Sequence, residues 1–190
     1  PSRMRVIPPG VDLGRFSPPP KRGKVTGPIV DTVKRFLREP EKPAILALAR
    51  ADHKKNLETL LRAYGEDQRL QEKANLVILA GNREDIREMP KGAQQILTNL
   101  LMLIDRYDLY GKVAFPKHHE PDDVPVLYRW AAGTRGVFVN PAFTEPFGLT
   151  LLEASASGLP LVATNDGGPN DIIGNCENGE LIDPSDAKGI

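Results

Sequence analysis

Ala44-Ile45-Leu46-Ala47-Leu48-Ala49 and Asn75-Leu76-Val77-Ile78-Leu79-Ala80 decide the fold. Both runs are apolar at successive positions, so a strand made from either presents apolar side chains on its two faces. Such a strand is stable only in a sheet covered by helices on each side, and parallel sheets are built that way. Outward from these two runs, shorter aliphatic and β-branched stretches at 3–7, 112–115, 136–140, 160–163 and 179–182 read as further strands. Helical patterns fill the gaps. Leu57, Leu60, Leu61 and Tyr64 follow the i, i+3, i+4, i+7 spacing, with Asn56 placed as N-cap. Ile96, Leu100, Leu103, Ile104 and Tyr107 repeat that spacing, and shorter helices are expected at 28–38, 124–131, 147–157 and 169–173. The alternation predicts an α/β fold, a parallel sheet with helices on both faces.

The chain has 190 residues, which suits one domain. Half of its 18 prolines fall in residues 1–43, together with the basic run Lys21-Arg22-Gly23-Lys24, so this part reads as an entry segment and 44–190 as the domain. Pro1 in place of Met, and a capped helix start at 183–188 with no helix after it, lead to the expectation of a fragment of a longer chain. Hydrophobic residues at 40% and charged residues at 26% are ordinary for a soluble globular protein. Lys plus Arg number 25 and Asp plus Glu number 25, so no net field favours nucleic acid or an anionic membrane as a partner. Cys176 is the single cysteine, expected to pack in the interior, and one thiol forms no internal disulfide. With no apolar run near the ~18 residues of a membrane span, the expected location is cytoplasmic.

Ligands of open parallel sheets bind outside the carboxyl ends of the strands, where loops meet helix N-termini. Arg50-Ala51-Asp52-His53-Lys54-Lys55-Asn56 leaves the strand at 44–49 carrying three fixed cations into a helix. A planar guanidinium and a mobile ammonium five residues apart can clamp phosphoryl oxygens from different sides. The same loop also reads as a solvated helix cap. Positive charge at a helix N-terminus opposes the helix dipole by ~0.3–1 kcal/mol per charge, a cost that an anion would remove.

Val137-Phe138-Val139-Asn140 leads into Pro141-Ala142-Phe143-Thr144-Glu145-Pro146-Phe147-Gly148-Leu149-Thr150 and on to Glu153. Pro146 suits a helix start, and Gly148 leaves the first-turn N–H groups open to an anion. Glu145 and Glu153 would stand on the order of 10 Å apart along a helix, suited to accepting hydroxyls from two sugars. Taken singly, they also read as a helix cap and a surface ion-pair member.

Other loops add less. Gly81-Asn82-Arg83 offers a polar wall, with Arg83 also readable as a solvated side chain, and Asn165-Asp166-Gly167-Gly168-Pro169 reads as a turn whose glycines serve the backbone. Phe115-Pro116-Lys117-His118-His119 holds two of the three histidines without a third metal ligand at zinc-site spacing, so no metal is expected. The chain has no G-x-G-x-x-G, no phosphate-binding G-x-x-x-x-G-K-[ST], no G-x-S-x-G and no Asp-x-Asp pair. A diphosphate would have to be neutralised by side-chain cations and amides.

The run EPFGLTLLE, Glu145 to Glu153, resembles the E-x7-E signature of retaining GT-B glycosyltransferases that use nucleotide sugars, and Arg50 with Lys55 resembles their Arg-x4-Lys pair. Within that group, IPPGVD (7–12), HKKN (53–56), GNREDI (81–86), LIDRYDLYGKVAFPKHH (103–119), NDGGP (165–169) and GELIDP (179–184) resemble the plant-type sucrose-phosphate synthases over nearly the whole chain. Sucrose synthases are similar too, but differ at Pro146, GNREDI and PKHH. This chain departs from the pattern at Asn165-Asp166 and in a shortened Pro-rich entry.

The resemblance implies a Rossmann-like donor domain, the C-terminal half of a two-domain GT-B enzyme. UDP-glucose would bind here, fructose 6-phosphate would bind an N-terminal acceptor domain, and the product would be sucrose 6-phosphate, with no cofactor. By the same resemblance Arg50 and Lys55 would hold the diphosphate and stabilise departing UDP. Glu145 would accept from glucose hydroxyls and Glu153 from ribose. The amides of Phe147, Gly148, Leu149 and Thr150 would contact glucose and phosphate, and Lys117 and His118 would read the base. Gly81, from its place in the loop after the strand at 75–80, would wall the donor site. Alone, the fragment would be inactive. The alternatives are sucrose synthase or another nucleotide-sugar glycosyltransferase, and a non-catalytic nucleotide-binding module.

Overall fold

The computed structural model describes residues 10–190. The strand expected at 3–7 lies outside them. Six strands form one parallel sheet: β1 (Ala44–Leu48), β2 (Asn75–Leu79), β3 (Val113–Ala114), β4 (Val137–Asn140), β5 (Leu161–Thr164) and β6 (Gly179–Ile182). Their order across the sheet is β3-β2-β1-β4-β5-β6. Among the described residues seven α-helices accompany them: α1 (Pro28–Lys34), α2 (Leu57–Glu66), α3 (Gln68–Lys73), α4 (Lys91–Arg106), α5 (Asp123–Gly133), α6 (Leu149–Ala156) and α7 (Pro169–Cys176).

The apolar runs are buried on both faces, as their composition requires. In β1, Ile45 and Ala47 join the cluster containing Leu57, Leu61 and Tyr64 of α2 and Leu97 and Leu100 of α4. Leu46, between them in sequence, joins Tyr128 and Trp130 of α5 and Leu151 of α6 on the other face. β2 divides the same way, with Leu76 and Ile78 on one side and Val77 and Leu79 on the other. Complete burial of one such side chain stabilises by about 1.5–3 kcal/mol.

Part of the Pro-rich entry segment packs on this sheet. Phe16 and the α1 residues Ile29, Val30 and Val33 belong to the Tyr128 cluster. α1 ends at Lys34 rather than continuing to 38, and α7 runs past 173 to Cys176. Cys176 is exposed, not packed. α3 was not expected from its polar sequence; the Asp67 carboxylate caps it by accepting from the N–H groups of Arg69 and Leu70. Asn56 holds the N-cap position of α2 but makes no side-chain cap. It sits at φ 53° and its amide donates to the carbonyls of Pro141 (3.0 Å) and Pro184 (2.8 Å), tying the loop after β1 to the segments after β4 and β6. Among the described residues no helix is long and apolar enough to cross a membrane.

The chain leaves β1 toward one edge of the sheet and returns at β4 toward the other. The loops after β1 and β4 therefore diverge over a crevice at the carboxyl end of the sheet, the place where this topology binds ligands.

Candidate active site

A cleft of about 390 Å³ opens at that crevice, within the size range of small-molecule sites. Arg50, Lys55, Gly81, His119, Asn140, Glu145, Phe147, Leu149 and Thr150 are among its walls. The Arg50–Lys55 pair and the Glu145–Thr150 segment, read separately from the sequence, thus face one space.

Three loops fix this geometry. The Phe143 N–H donates to the Lys54 carbonyl (2.9 Å), and the Lys55 ammonium reaches Glu145 Oε2 (2.7 Å). Behind Glu145 the glycine turn after β5 pairs with it as a short parallel bridge: Glu145 N–H donates to Asp166 O (3.1 Å) and Gly168 N–H donates to Glu145 O (2.8 Å). Gly167 has φ +98°, and a Cβ there would collide with the Glu145 carbonyl oxygen. The glycines of this turn thus let a second backbone approach.

Glu145 is half-buried and well supplied with donors. Besides Lys55, the Asn140 amide donates to Oε2 (3.1 Å) and the Gly148 N–H to Oε1 (3.3 Å). Burial pushes this carboxyl up, but the bonds from Lys55 and Asn140, the Lys55 charge and the Gly148 N–H outweigh it. The group rests below its ordinary value. Arg50 is exposed, and its side chain has no protein hydrogen-bond or ion-pair partner among the described residues. Its guanidinium keeps its full donor capacity for a ligand.

α6 starts at Leu149, with Gly148 as N-cap in the left-handed region (φ 76°) and 2.7 Å between a notional Cβ and Ile172 Cδ1. Glycine is therefore demanded by backbone conformation and close packing as well as by openness. Among the described residues the N–H groups of Phe147, Leu149 and Thr150 find no protein acceptor, whereas that of Gly148 is engaged by Glu145. Two cations and three residues whose N–H groups are free thus line one cleft, a donor set suited to phosphoryl oxygens.

Glu153, Lys117 and His118 do not line this cleft. Glu153 lies one turn into α6, half-buried, and among the described residues its carboxylate accepts only a long bond from the Tyr128 hydroxyl (3.5 Å). Burial holds its carboxyl above the ordinary value, opposed by Tyr128 and the charge of Arg15. Lys117 and His118 line a separate, more open groove with Thr32, Arg35 and Phe36, and the Lys117 ammonium donates to Glu84 O (3.0 Å). His119 enters the cleft in their place, and burial holds its imidazole below the ordinary value, against the charges of Asp123 and Glu120. Neither His119 nor Asn140 was singled out from the sequence. Asn140 had a usable signal, a polar residue closing the apolar strand Val137-Phe138-Val139; the choice between adjacent histidines had none. Among the described residues no group of three metal-ligating side chains is gathered.

A family model described as glycosyl transferases group 1 matches residues 30–190. The chain belongs to that family. It is 51% identical over 99% of its length to sucrose-phosphate synthase 4 of Arabidopsis thaliana, and 52% identical over 99% to sucrose-phosphate synthase of Spinacia oleracea. It spans 20% and 19% of those two proteins. Among solved structures, a sucrose-phosphate synthase from Thermosynechococcus elongatus superposes with a TM-score of 0.74 and 27% identity, over 97% of this chain and 41% of that one. The fold, a six-stranded parallel sheet covered by helices, is the Rossmann-like half of a GT-B glycosyltransferase.

Proposed function

We propose that this chain is the donor-binding half of a retaining glycosyltransferase that transfers glucose from UDP-glucose to fructose 6-phosphate, forming sucrose 6-phosphate. The convergence of Arg50, Lys55 and the free amides of Phe147, Leu149 and Thr150 on one cleft carries this reading. The substrate pair is supported by the similarity to sucrose-phosphate synthases.

The diphosphate lies against Arg50 and Lys55. As the bond from the anomeric carbon to the β-phosphate oxygen breaks, the electron pair leaves with UDP, and the cations and amides stabilise the charge that grows on that oxygen. Positive character develops at the sugar, and the acceptor hydroxyl attacks from the face the diphosphate leaves, giving its proton to the departing oxygen. Glu145 accepts from glucose hydroxyls while Lys55 turns from Glu145 to the diphosphate. Glu153, the i+3 neighbour of cleft-lining Thr150 on α6, accepts from the ribose. Fructose 6-phosphate comes from an N-terminal acceptor domain that closes over this one. UDP-glucose is a substrate in this scheme, no cofactor takes part, and the reaction is cytoplasmic.

Calorimetric titration of the complete protein with UDP and with NAD, followed by assays offering fructose or fructose 6-phosphate, tests the proposal. Heat with UDP alone and turnover with fructose 6-phosphate alone are expected. Absence of binding at millimolar UDP by a folded protein rejects it.

A further inference from the structure

Arg83 is a buried cation with no carboxylate partner among the described residues. It is 5% exposed, its guanidinium carbon stands 4.1 Å from the centre of the Phe115 ring, and its Nε makes no hydrogen bond. The two terminal nitrogens donate instead to backbone carbonyls, Nη1 to Pro116 (3.1 Å) and Nη2 to Phe115 (3.2 Å). Desolvating a guanidinium is costly, and a methionine or leucine would fill the same volume without that cost. What a guanidinium alone supplies is a rigid fork that fixes two successive carbonyls.

The neighbouring contacts act on the same loop. Arg83 N–H donates to Lys117 O (3.0 Å). The Asn82 side chain makes a reciprocal pair with the His119 backbone, its Nδ2 donating to the carbonyl and its Oδ1 accepting from the N–H, each at 2.9 Å. Residues 82–83 thus grip the backbone at 115, 116, 117 and 119. The grip is needed because the held loop leaves β3, an edge strand of two residues with little ladder of its own. Both gripped segments border the cleft, through Gly81 on one and His119 on the other, on the β2–β3 side of Arg50 and Lys55.

We propose that Asn82 and Arg83 are positioning residues which hold the Phe115–His119 loop so that His119 and Gly81 form the nucleoside end of the donor cleft. They touch no donor atom themselves. The inference rests on the donor-site reading above and adds a division of labour: Arg50 and Lys55 set affinity for the diphosphate, the Asn82–Arg83 clamp sets affinity for what is attached to it.

Calorimetry on the complete protein with two probes, UDP and inorganic pyrophosphate, separates the parts. Wild type is expected to bind both. Asn82→Ala, at an exposed position that should fold, loses two hydrogen bonds, and Arg83→Lys replaces the fork by a single point donor. Each is expected to weaken UDP by about tenfold while leaving pyrophosphate within about twofold. In turnover, KM for UDP-glucose rises by a similar factor with kcat nearly constant, the pattern of lost uniform binding. Unchanged UDP affinity in folded Asn82→Ala overturns the proposal, as does a parallel loss for both probes, which would place these residues in general fold maintenance. If wild type binds neither probe, the donor-site reading falls and this inference with it. Failure of the clamp alone shows as wild-type binding that the variants retain.

Discussion

Lys55 Nζ and Glu145 Oε2 stand 2.7 Å apart, joining the loop after β1 to the loop after β4 across the mouth of the cleft. Their side chains are 23% and 12% exposed, so the pair is poorly screened. It couples two tasks. Under the proposed function Lys55 carries charge to the diphosphate, and it also neutralises a half-buried carboxylate whose other donors, the Asn140 amide and the Gly148 N–H, are uncharged.

That coupling separates Lys55 from Arg50. Arg50→Ala and Lys55→Ala are each expected to lower kcat of the complete enzyme by roughly 10²- to 10³-fold, about 2.7–4 kcal/mol, the scale for one lost donor at a developing oxyanion. The Arg50 side chain is exposed and without a partner among the described residues, so its removal changes stability by no more than about 0.5 kcal/mol. Lys55→Ala strands Glu145 and costs roughly 1–3 kcal/mol. Steady-state kinetics beside urea denaturation of both variants check this. Turnover within threefold of wild type for both would end the leaving-group assignment.

The sequence made the sheet readable and left the pairing hidden, for a physical reason. Ile45-Leu46-Ala47-Leu48 and Leu76-Val77-Ile78-Leu79 declare two-faced burial in the order of their own residues, so β1, β2 and the layered fold follow from local pattern. The Arg50–Lys55 loop and the Glu145–Thr150 loop were legible as anion-binding candidates because their residue types are unusual at strand ends. That Lys55 meets Glu145, ninety positions away, is set by the β1–β4 adjacency, which no local spacing encodes. α3 carries no apolar period for a sequence to display, because its only buried side chain is Gln71, whose amide donates to the carbonyls of Tyr64 and Gly65. His119 replaced His118 at the cleft because Asn82 fixes the backbone there.

Glu145 gives the fold an acid-sensitive contribution. Its folded carboxyl lies below the ordinary value of 4.5, so the stabilisation is complete above that value and is lost as pH falls through the folded one. Glu145→Gln removes the titration. The stability gap between wild type and Glu145→Gln, read from urea midpoints, is expected to be constant from neutral pH to about 5 and to shrink below about 4.5. A gap that stays constant through acid pH would contradict the assignment.

Glu153 should behave with opposite sign. Burial raises its folded value, so the ionised form opposes folding: relative stability is present below the ordinary value and lost as pH rises through the folded one. Glu153→Gln is therefore expected to match wild type in acid and exceed it at neutral and alkaline pH. The same substitution should raise KM for UDP-glucose, since an amide is a poorer hydroxyl acceptor than a carboxylate. Thermal melts and donor titrations read the two effects separately. A Gln variant less stable than wild type at pH near 8 would refute the burial argument.

Gly167 tests whether the turn after β5 is a buttress or a passive connection. Its φ of +98° is one that side-chain-bearing residues rarely adopt, and a Cβ would press on the Glu145 carbonyl oxygen, which accepts from Gly168 N–H at 2.8 Å. Gly167→Ala must strain its own backbone or push the Glu145 segment into the cleft. The expected cost is roughly 1–3 kcal/mol of stability, with loss of UDP affinity beside it because Glu145 and the amides beyond it shift together. Gly92, inside the first turn of α4 with nothing within 4 Å of its notional Cβ, is the control. Gly92→Ala should stabilise by about 0.4–1 kcal/mol and leave UDP binding alone, since it only narrows the unfolded ensemble and favours helix. Melting temperatures and UDP isotherms for the two variants decide the matter. Gly167→Ala with wild-type stability and affinity would show that the turn gives way freely and does not support the site.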